Sequence, residues 1–98
     1  MAKYGSITDL SKNNLVLSRG GGETRIQATG SGTATIKGIV SKTNKPVILS
    51  LVNLSTFEVV NKITDNSIYA LDTTGLSEIS ADTSGFTALY AELIEEVG

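Results

Sequence analysis

Carboxylates are the side chains of this sequence whose type and spacing could do chemistry, and three aspartates come first. Asp65, Asp72 and Asp82 lie at the edges of predicted turns and could offer oxygen ligands to Ca²⁺. A calcium loop of the EF-hand kind gathers several carboxylates in one short loop, whereas these three are seven and ten residues apart. We therefore expect them to cap turns, and we expect no metal site.

Three glutamates near the end of the chain could form the carboxylate pair of a glycosidase, in which one acid protonates the leaving group. They are Glu92, Glu95 and Glu96. Sugar-binding sites usually present aromatic platforms, yet only 5% of the residues are aromatic. A solvated end of the chain explains these glutamates better than a catalytic pair does.

Two glycine clusters, at residues 20–22 and 30–32, could be mistaken for phosphate-binding loops. A P-loop continues into a Lys-Ser or Lys-Thr pair and a helix, and neither follows these clusters. Glycine adopts positive φ at little steric cost. Both clusters are therefore expected to reverse the chain as hairpin turns.

The sequence contains no cysteine and no histidine. Disulfides, thiolate metal sites and cysteine nucleophiles are thereby excluded. So are Ser–His triads, histidine-ligated zinc and histidine acid–base chemistry. We expect a protein that is not an enzyme and that uses no cofactor.

Charge and hydropathy argue against two classes of partner. The net charge of −2 is the opposite of the basic excess typical of nucleic-acid binding proteins. No run approaches the roughly 18 apolar residues of a membrane span, and the opening residues do not resemble a signal peptide. We expect binding to neither nucleic acid nor membranes.

The charge is also unevenly divided along the chain. Residues 1–45 hold seven basic residues against two acidic ones, a net charge of +5, and residues 46–98 hold one basic residue against eight acidic ones, a net charge of −7. Two interpretations stay open. The halves could interleave as ordinary solvated surfaces, or they could form two faces of opposite sign that meet between subunits.

Alternation of apolar and polar residues predicts short strands. It is clearest at Glu23–Thr29 and Thr33–Val40, and Val47–Asn53 is the most apolar segment and the expected central strand. The sets expected to face the core are Thr24/Ile26/Ala28, Ala34/Ile36/Val40 and Val47/Leu49/Leu51.

Further strands and turns complete the pattern. Additional strands are expected at Asn14–Ser18, Phe57–Ile63, Ile68–Asp72 and around Ile79. Turns are expected at Thr64–Ser67 with Asn66 left-handed, at Thr73–Gly75 and at Asp82–Gly85. Short strands with frequent turn signals are typical of a sandwich or small barrel. We predict an all-β protein: a single small antiparallel β-sandwich of about eight short strands over residues 14–98.

Residues 88–97 fit two interpretations. Leu89, Leu93 and Val97 recur at helical spacing, whereas Leu89, Ala91 and Leu93 share one face of a strand. Tertiary context often overrides helix propensity. The surrounding strands therefore favour a closing strand.

Residues 1–13 are polar and lack a period, which predicts an extended N-terminal arm. Such an arm could attach the domain to a partner. Lys3, Tyr4 and Lys12 are the expected partner-binding residues, with Tyr4 as the anchor because its ring combines apolar area with a hydroxyl group.

The stretch from Gly30 to Glu92 resembles the small β-sandwich modules of tailed-bacteriophage virion proteins, of the capsid decoration, head-fibre and tail accessory type. Three segments carry the resemblance: GSGTATIKG at 30–38, ITDNSIY at 63–69 and DTTGLSEI at 72–79. These modules usually have a glycine in the turn before the Ile-Tyr pair, where this chain has Asn66-Ser67.

The resemblance implies a non-enzymatic bacteriophage virion structural protein, made in the host cytoplasm and located in the virion. Its role would be capsid decoration or another accessory function, with other virion proteins of the capsid or fibre as partners. The alternative is a glycan-binding module of a phage fibre or adhesin. A homo-oligomer, with a trimer as the first expectation, would compensate for the small core of a domain of this size.

Overall fold

The computed structural model describes residues 7–17, 20–40 and 45–96, and these ranges contain strands and no helix. The strands are β1 (Ile7–Asp9), β2 (Leu15–Val16), β3 (Gly22–Ile39), β4 (Val47–Ile48), β5 (Leu51–Asn53), β6 (Val59–Val60), β7 (Ile68–Asp72) and β8 (Glu78–Glu96). All eight belong to one antiparallel sheet, in the order β1-β8-β3-β7-β5-β6, with β2 beside β8 and β4 beside β3. This architecture confirms the prediction of a small antiparallel all-β domain.

Two long strands dominate the fold. The 18 residues of β3 and the 19 of β8 pair from Gly22↔Glu96 to Ile39↔Glu78 and form one antiparallel ribbon. A straight strand as long as β3 would measure roughly 60 Å at about 3.3 Å per residue. The longest dimension of the molecule is 33 Å. The ribbon must therefore bend back on itself.

The bend lies where both strands carry glycine. The register of the ribbon shifts at Gly30 and again before Thr33, and Gly30 and Gly85 both have φ of 92°. A Cβ atom on Gly32 would lie 2.1 Å from the carbonyl oxygen of Ser84. The hairpin turns predicted at residues 30–32 and 82–85 are therefore wrong, because both segments are bulges inside continuous strands.

Each half of the bent ribbon pairs with its own short strands. Residues 22–29 and 88–96 lie between β1 and β7, whereas residues 33–39 and 78–84 lie between β2 and β4. Both halves contribute to one hydrophobic core, so the folded sheet forms the two layers of a sandwich. The core includes Ile26, Ala28, Leu89, Ala91 and Leu93 from the first half and Ala34, Ile36 and Ile79 from the second.

The predicted inward residues of β3 are correct, but Val40, which follows the strand, is not inward. Thr24, Ile26, Ala28, Ala34 and Ile36 are all buried. Val40 was expected inside but is 44% exposed, because β3 ends one residue earlier.

The segment expected to form the central strand is instead an edge. Val47 is 59% exposed in β4, which among the described strands pairs only with β3. Leu49 is partly buried and Leu51 is buried in the separate strand β5. The apolar run is therefore divided between two short strands, and only its second part reaches the core.

Two local predictions also change. The strand expected at Phe57–Ile63 is reduced to β6, and Ile63 joins the core through an isolated bridge to Ala34. Asn66 does not have positive φ. Its amide instead donates to the carbonyl oxygens of Ala28 (2.8 Å) and Gly30 (2.9 Å), and so ties the turn before β7 to the bend of the ribbon.

The ends of the described chain pair with each other. β8 continues to Glu96, which confirms the closing strand over the helix, and Leu89 and Leu93 are fully buried on its inner side. At the other end, Leu15 and Leu17 are buried on one side of the chain, although β2 covers only Leu15–Val16 of the predicted strand. Ser18 lies outside the described residues.

Candidate protein-binding face

One outward side of the sheet carries an unusual mixture of apolar and charged groups. Directly opposite residues in antiparallel strands point to the same side, so the registers Ile7↔Glu92↔Arg25 and Tyr90↔Gln27↔Ile68 place two rows of side chains next to each other. We call these six residues the outer face. The intervening residues point inward and form the core described above.

The outer face surrounds an open groove of about 350 Å³, whose lining also includes Ile26. Ile7 is 65% exposed, Tyr90 47% and Ile68 44%. Ligand sites usually have volumes of about 300–1,000 Å³, and contiguous exposed apolar groups commonly mark binding surfaces. The groove therefore has the size and the character of a binding site.

One guanidinium and two carboxylates lie at or beside the groove, on strands β3 and β8. The Arg25 guanidinium contacts the Glu23 carboxylate at 2.6 Å, and Glu92 lies opposite Arg25 on β8. Arg25 Nε is buried and has no hydrogen-bond partner in the protein. The groove thus offers a guanidinium with further donors beside a carboxylate acceptor, around three apolar side chains.

A second apolar feature lies in the connection between β5 and β6. Phe57 is 78% exposed and Val59 is 71% exposed. We call these two residues the tip. Asn53 holds the connection, because its side-chain oxygen accepts from Ser55 N at 2.8 Å and its carbonyl oxygen accepts from Phe57 N at 2.6 Å.

The backbone of Phe57 is strained. Its φ of 61° is the only positive value at a non-glycine residue in the part of the chain that the structure describes. A bulky side chain rarely adopts this conformation. The fold therefore maintains an unfavourable backbone while presenting an aromatic ring to solvent.

The aspartates weighed as calcium ligands have structural roles. Asp65 accepts hydrogen bonds from the Tyr69 hydroxyl (2.7 Å) and from Ser67 N (3.0 Å), and these bonds lower the pKa of its carboxyl group. Burial and the bond to Asp65 raise the pKa of Tyr69. Asp65 therefore caps the turn before β7, as predicted.

The other two aspartates differ from each other. Asp72 accepts from the hydroxyl and the backbone N of Thr74, which lowers the pKa of Asp72, and so it caps a turn as expected. Asp82 lies inside β8 and not in a turn, and its carboxylate contacts Lys37 Nζ at 2.6 Å. Glu92 belongs to the outer face, and the side chains of Glu95 and Glu96 lie outside the described residues.

The uneven charge of the sequence is distributed within the ribbon. Basic residues of the first half, Arg25 and Lys37, lie on β3 beside acidic residues of the second half, Glu92 and Asp82, on β8. The two sequence halves therefore interleave, and these charges do not form separate faces of opposite sign.

The predicted N-terminal arm is partly integrated into the domain. Ile7–Asp9 pairs with β8, Leu10 is 4% exposed, and the Asp9 carboxylate accepts from Leu89 N at 2.9 Å. Residues 7–13 are thus part of the sheet and its following turn, instead of an arm separate from the core. Lys12 is exposed in that turn. Lys3 and Tyr4 lie outside the described residues.

Sequence reasoning predicted the outward direction of Arg25 and Gln27 but did not identify the groove. The alternating direction of side chains along a strand was the signal that could have identified Tyr90 as part of this surface. Tyr90 lies between the inward residues Leu89 and Ala91, so a strand must direct its ring outward. Ile7 could not be found in this way, because no alternation marks β1 as a strand.

Comparisons with known proteins concern the fold. The chain is similar to a solved structure, the SPBc2 prophage-derived protein YomS, with a TM-score of 0.75 and 13% identity over 88% of each chain. No family model matches the chain, and no curated protein matches it.

Within the described ranges, no group of three or more Asp or Glu side chains could hold a metal ion. Within the same ranges, no helix has the length and hydropathy needed to cross a membrane.

Proposed function

We propose that this chain is a non-enzymatic accessory protein of a bacteriophage particle, which binds other particle proteins through its outer face. Capsid decoration is the form of this role that we favour. The observation that carries the proposal is the groove between Ile7, Ile68 and Tyr90, where three large side chains with apolar surface remain exposed on the sheet.

The chemistry of the groove suits recognition of protein better than catalysis. Tyr and Arg are enriched among the residues that dominate protein interfaces, and Tyr90 and Arg25 lie here in neighbouring rows of the sheet. Removing the exposed apolar area from water would favour association. The nearby carboxylate and guanidinium would then set the orientation of the partner.

Two independent likenesses support a phage origin. The fold is similar to that of a prophage-derived protein, and the sequence segments at 30–38, 63–69 and 72–79 resemble virion modules. Fold likeness does not determine function. The phage assignment and the location in the virion are therefore part of the proposal.

The N-terminal residues are proposed to contribute to attachment. Lys12 is exposed in the turn after β1, next to the strand that supplies Ile7 to the groove. Lys3 and Tyr4 precede this strand in sequence. A partner protein in contact with the outer face could therefore also contact the start of the chain.

The test is incorporation into particles. A tagged chain would be produced in the infected or induced host, and particles would be purified on a density gradient. The wild-type chain should band with the particles, and Ile68→Lys should reduce this fraction at least tenfold because it places a charge in the apolar groove. Ser50→Lys, at an exposed position between β4 and β5, adds the same charge elsewhere and should bind normally. Absence of the wild-type chain from the particles would refute the proposal.

A glycan is the second candidate ligand, and one observation favours it. The exposed ring of Tyr90 lies beside Arg25, Gln27 and Glu92, an arrangement in which a sugar could stack on the ring and bond to the polar groups. A glycan array would show binding that Tyr90→Ala abolishes. Binding to glycans without binding to particles would replace the structural role with this one.

A further inference from the structure

Strand β6 forms an open edge of the sheet. It lies at one end of the strand order and, among the described strands, pairs only with β5. In an antiparallel ladder, successive residues of a strand bond alternately to the neighbour on one side and to the neighbour on the other. Glu58 bonds towards β5, because its carbonyl oxygen accepts from Asn53 N at 2.9 Å. Val59, the next residue, therefore directs its N–H and C=O away from β5.

The same alternation sets the rest of this edge. Val60 pairs with Leu51 of β5, so its backbone groups return to β5 and those of Asn61 face the open side again. The chain then turns towards Ile63, which bridges to β3. The backbone donors and acceptors of Val59 and Asn61 are thus directed to a neighbouring molecule. We call residues 58–62 the open edge.

Apolar surface adjoins the open edge. The tip residues Phe57 and Val59 are 78% and 71% exposed. Phe57 also holds a positive φ of 61°, and such backbone strain is found preferentially at binding and active sites. A strand edge with exposed apolar side chains is a template for pairing with another chain. The open edge and the tip together therefore form a candidate interface separate from the groove.

The two charges of the open edge have opposite signs and lie at its two ends. Glu58 precedes β6, Lys62 follows it, and both are exposed. Among the described residues, neither side chain forms an ion pair. A second copy of the edge in antiparallel orientation reverses this order, so each carboxylate approaches an ammonium group. A parallel copy would bring like charges together.

The other edges of the sheet are less suited to such pairing. β4 follows Pro46, which has no N–H to donate. At β1, the carbonyl oxygen of Asp9 already accepts from Lys12 N and Asn13 N. β2 consists of a leucine and a valine, so it has no charged side chain that could orient a partner. Only the edge at β6 combines open backbone groups with charges that complement their own copy.

We infer that two copies of this chain associate through β6, antiparallel to each other around a two-fold axis at Val60. Directly opposite residues then include Glu58 with Lys62 of the second copy, and Val59 with its Asn61. Because β6 is short, the ladder is short, and burial of the tip supplies the remaining attraction.

The same surface is used on both copies, so the contact closes at two chains. A dimer thereby takes the place of the trimer expected from the sequence. The groove lies on β1, β3, β7 and β8 and remains open in this dimer. The inference therefore goes beyond the proposed function, and neither depends on the other.

Sedimentation equilibrium on charge variants tests the inference at low ionic strength, where exposed charges are screened least. The wild-type chain should pass from monomer to dimer as its concentration rises. Lys62→Glu makes both ends of the edge acidic, and Glu58→Lys makes both ends basic. Each variant alone should have a dissociation constant raised about tenfold, because two attractive pairs become repulsive.

Two further samples test the orientation of the strands. The double variant Glu58→Lys/Lys62→Glu exchanges the charges and should dimerise as the wild type does. An equimolar mixture of the two single variants should form heterodimers, because an acidic edge then faces a basic one. Lys45→Glu, at an exposed position before β4, is the matched control and should dimerise normally. Circular dichroism verifies that all variants keep the strand spectrum.

The results that overturn the inference are distinct from those that overturn the proposed function. A wild-type chain that stays monomeric up to about millimolar concentration refutes the dimer. A double variant that dimerises no better than the single variants, or a mixture without heterodimers, refutes the antiparallel pairing. A wild-type chain that dimerises but never bands with particles refutes the proposed function alone.

Discussion

At the scale of the residue, Phe57 combines an unfavourable backbone with an exposed side chain. Glycine adopts positive φ without the steric cost that a Cβ atom brings. Phe57→Gly should therefore raise the free energy of unfolding by about 1 kcal/mol, measured by urea denaturation. Phe57→Ala keeps the Cβ atom and should not be stabilised. Equal stability of the two variants would show that the backbone of Phe57 is not strained.

Asp9 and Asp65 link stability to pH. The pKa of Asp9 is lowered first by the bond from the Ser11 hydroxyl and then by that from Leu89 N, and the pKa of Asp65 is lowered first by the Tyr69 hydroxyl. Folding therefore favours the charged carboxylates. Their stabilisation is fully present above the ordinary pKa of 3.8 and is lost as the pH falls through the lowered values.

The expected result is a urea midpoint that is constant near neutral pH and decreases below about pH 4. In Asp9→Asn this decrease should be shallower, because one of the three aspartates whose pKa is lowered, Asp9, Asp65 and Asp72, is gone. The double variant Asp9→Asn/Asp65→Asn should be shallower still. Profiles that remain parallel to that of the wild type would show that neither carboxylate contributes to the acid sensitivity.

At the scale of the element, the bent ribbon depends on the close approach of two strands. A Cβ atom on Gly85 would lie 2.6 Å from the carbonyl oxygen of Ser31, and one on Gly32 would lie 2.1 Å from that of Ser84. Gly85→Ala and Gly32→Ala should each lower the free energy of unfolding by about 1–3 kcal/mol, because the backbone must shift to admit the methyl group.

Thermal unfolding measures this effect, and Ser31→Ala is the control because it adds no atom to the exposed part of the same bulge. The control should unfold near the wild-type temperature. If the glycine variants do so too, the bend tolerates a wider separation of the strands than the distances indicate.

The bend also shows where sequence reasoning reaches its limit. Alternation correctly assigned Thr24, Ile26 and Ala28 to the core, because the period of a strand is a local property. The glycines in residues 30–32 are equally compatible with a hairpin turn and with a bulge inside a strand. Only the pairing of this segment with residues 84–86 of β8 distinguishes the two.

The same limit applies to the candidate site. The apolar run from Val47 predicted a central strand, yet its first part lies at an edge, because burial depends on neighbours that are distant in sequence. The groove combines residues from β1, β3, β7 and β8. Their individual directions can be predicted from alternation where it exists, but their proximity follows from the order of the strands.

At the scale of the whole molecule, the start of the chain has two separable parts. Deleting residues 2–6 leaves β1 intact, so the domain should keep its thermal stability and lose particle binding if Lys3 and Tyr4 contribute to attachment. Deleting residues 2–12 also removes β1 and the buried side chain of Leu10. A buried leucine alone is worth about 2–5 kcal/mol, so this longer deletion should unfold at a much lower temperature.

Differential scanning calorimetry and the particle assay together separate these effects. If the variant without residues 2–6 still bands with particles, Lys3 and Tyr4 do not contribute to attachment, and the outer face alone makes the contact. A variant without residues 2–12 that unfolds like the wild type would contradict the contribution of β1 to the domain.

The pairing of β8 with β1, β2 and β3 has a consequence for synthesis in the cell. Ile7 pairs with Glu92 and Leu15 with Ile79, so β1 and β2 leave the ribosome well before β8, the strand with which they pair. Folds built from such distant pairings form slowly. A nascent or truncated chain without β8 would expose the long edge of β3, a template for aggregation. Folding is therefore expected to begin only once β8 has left the ribosome, and only chains that contain β8 would be available for assembly.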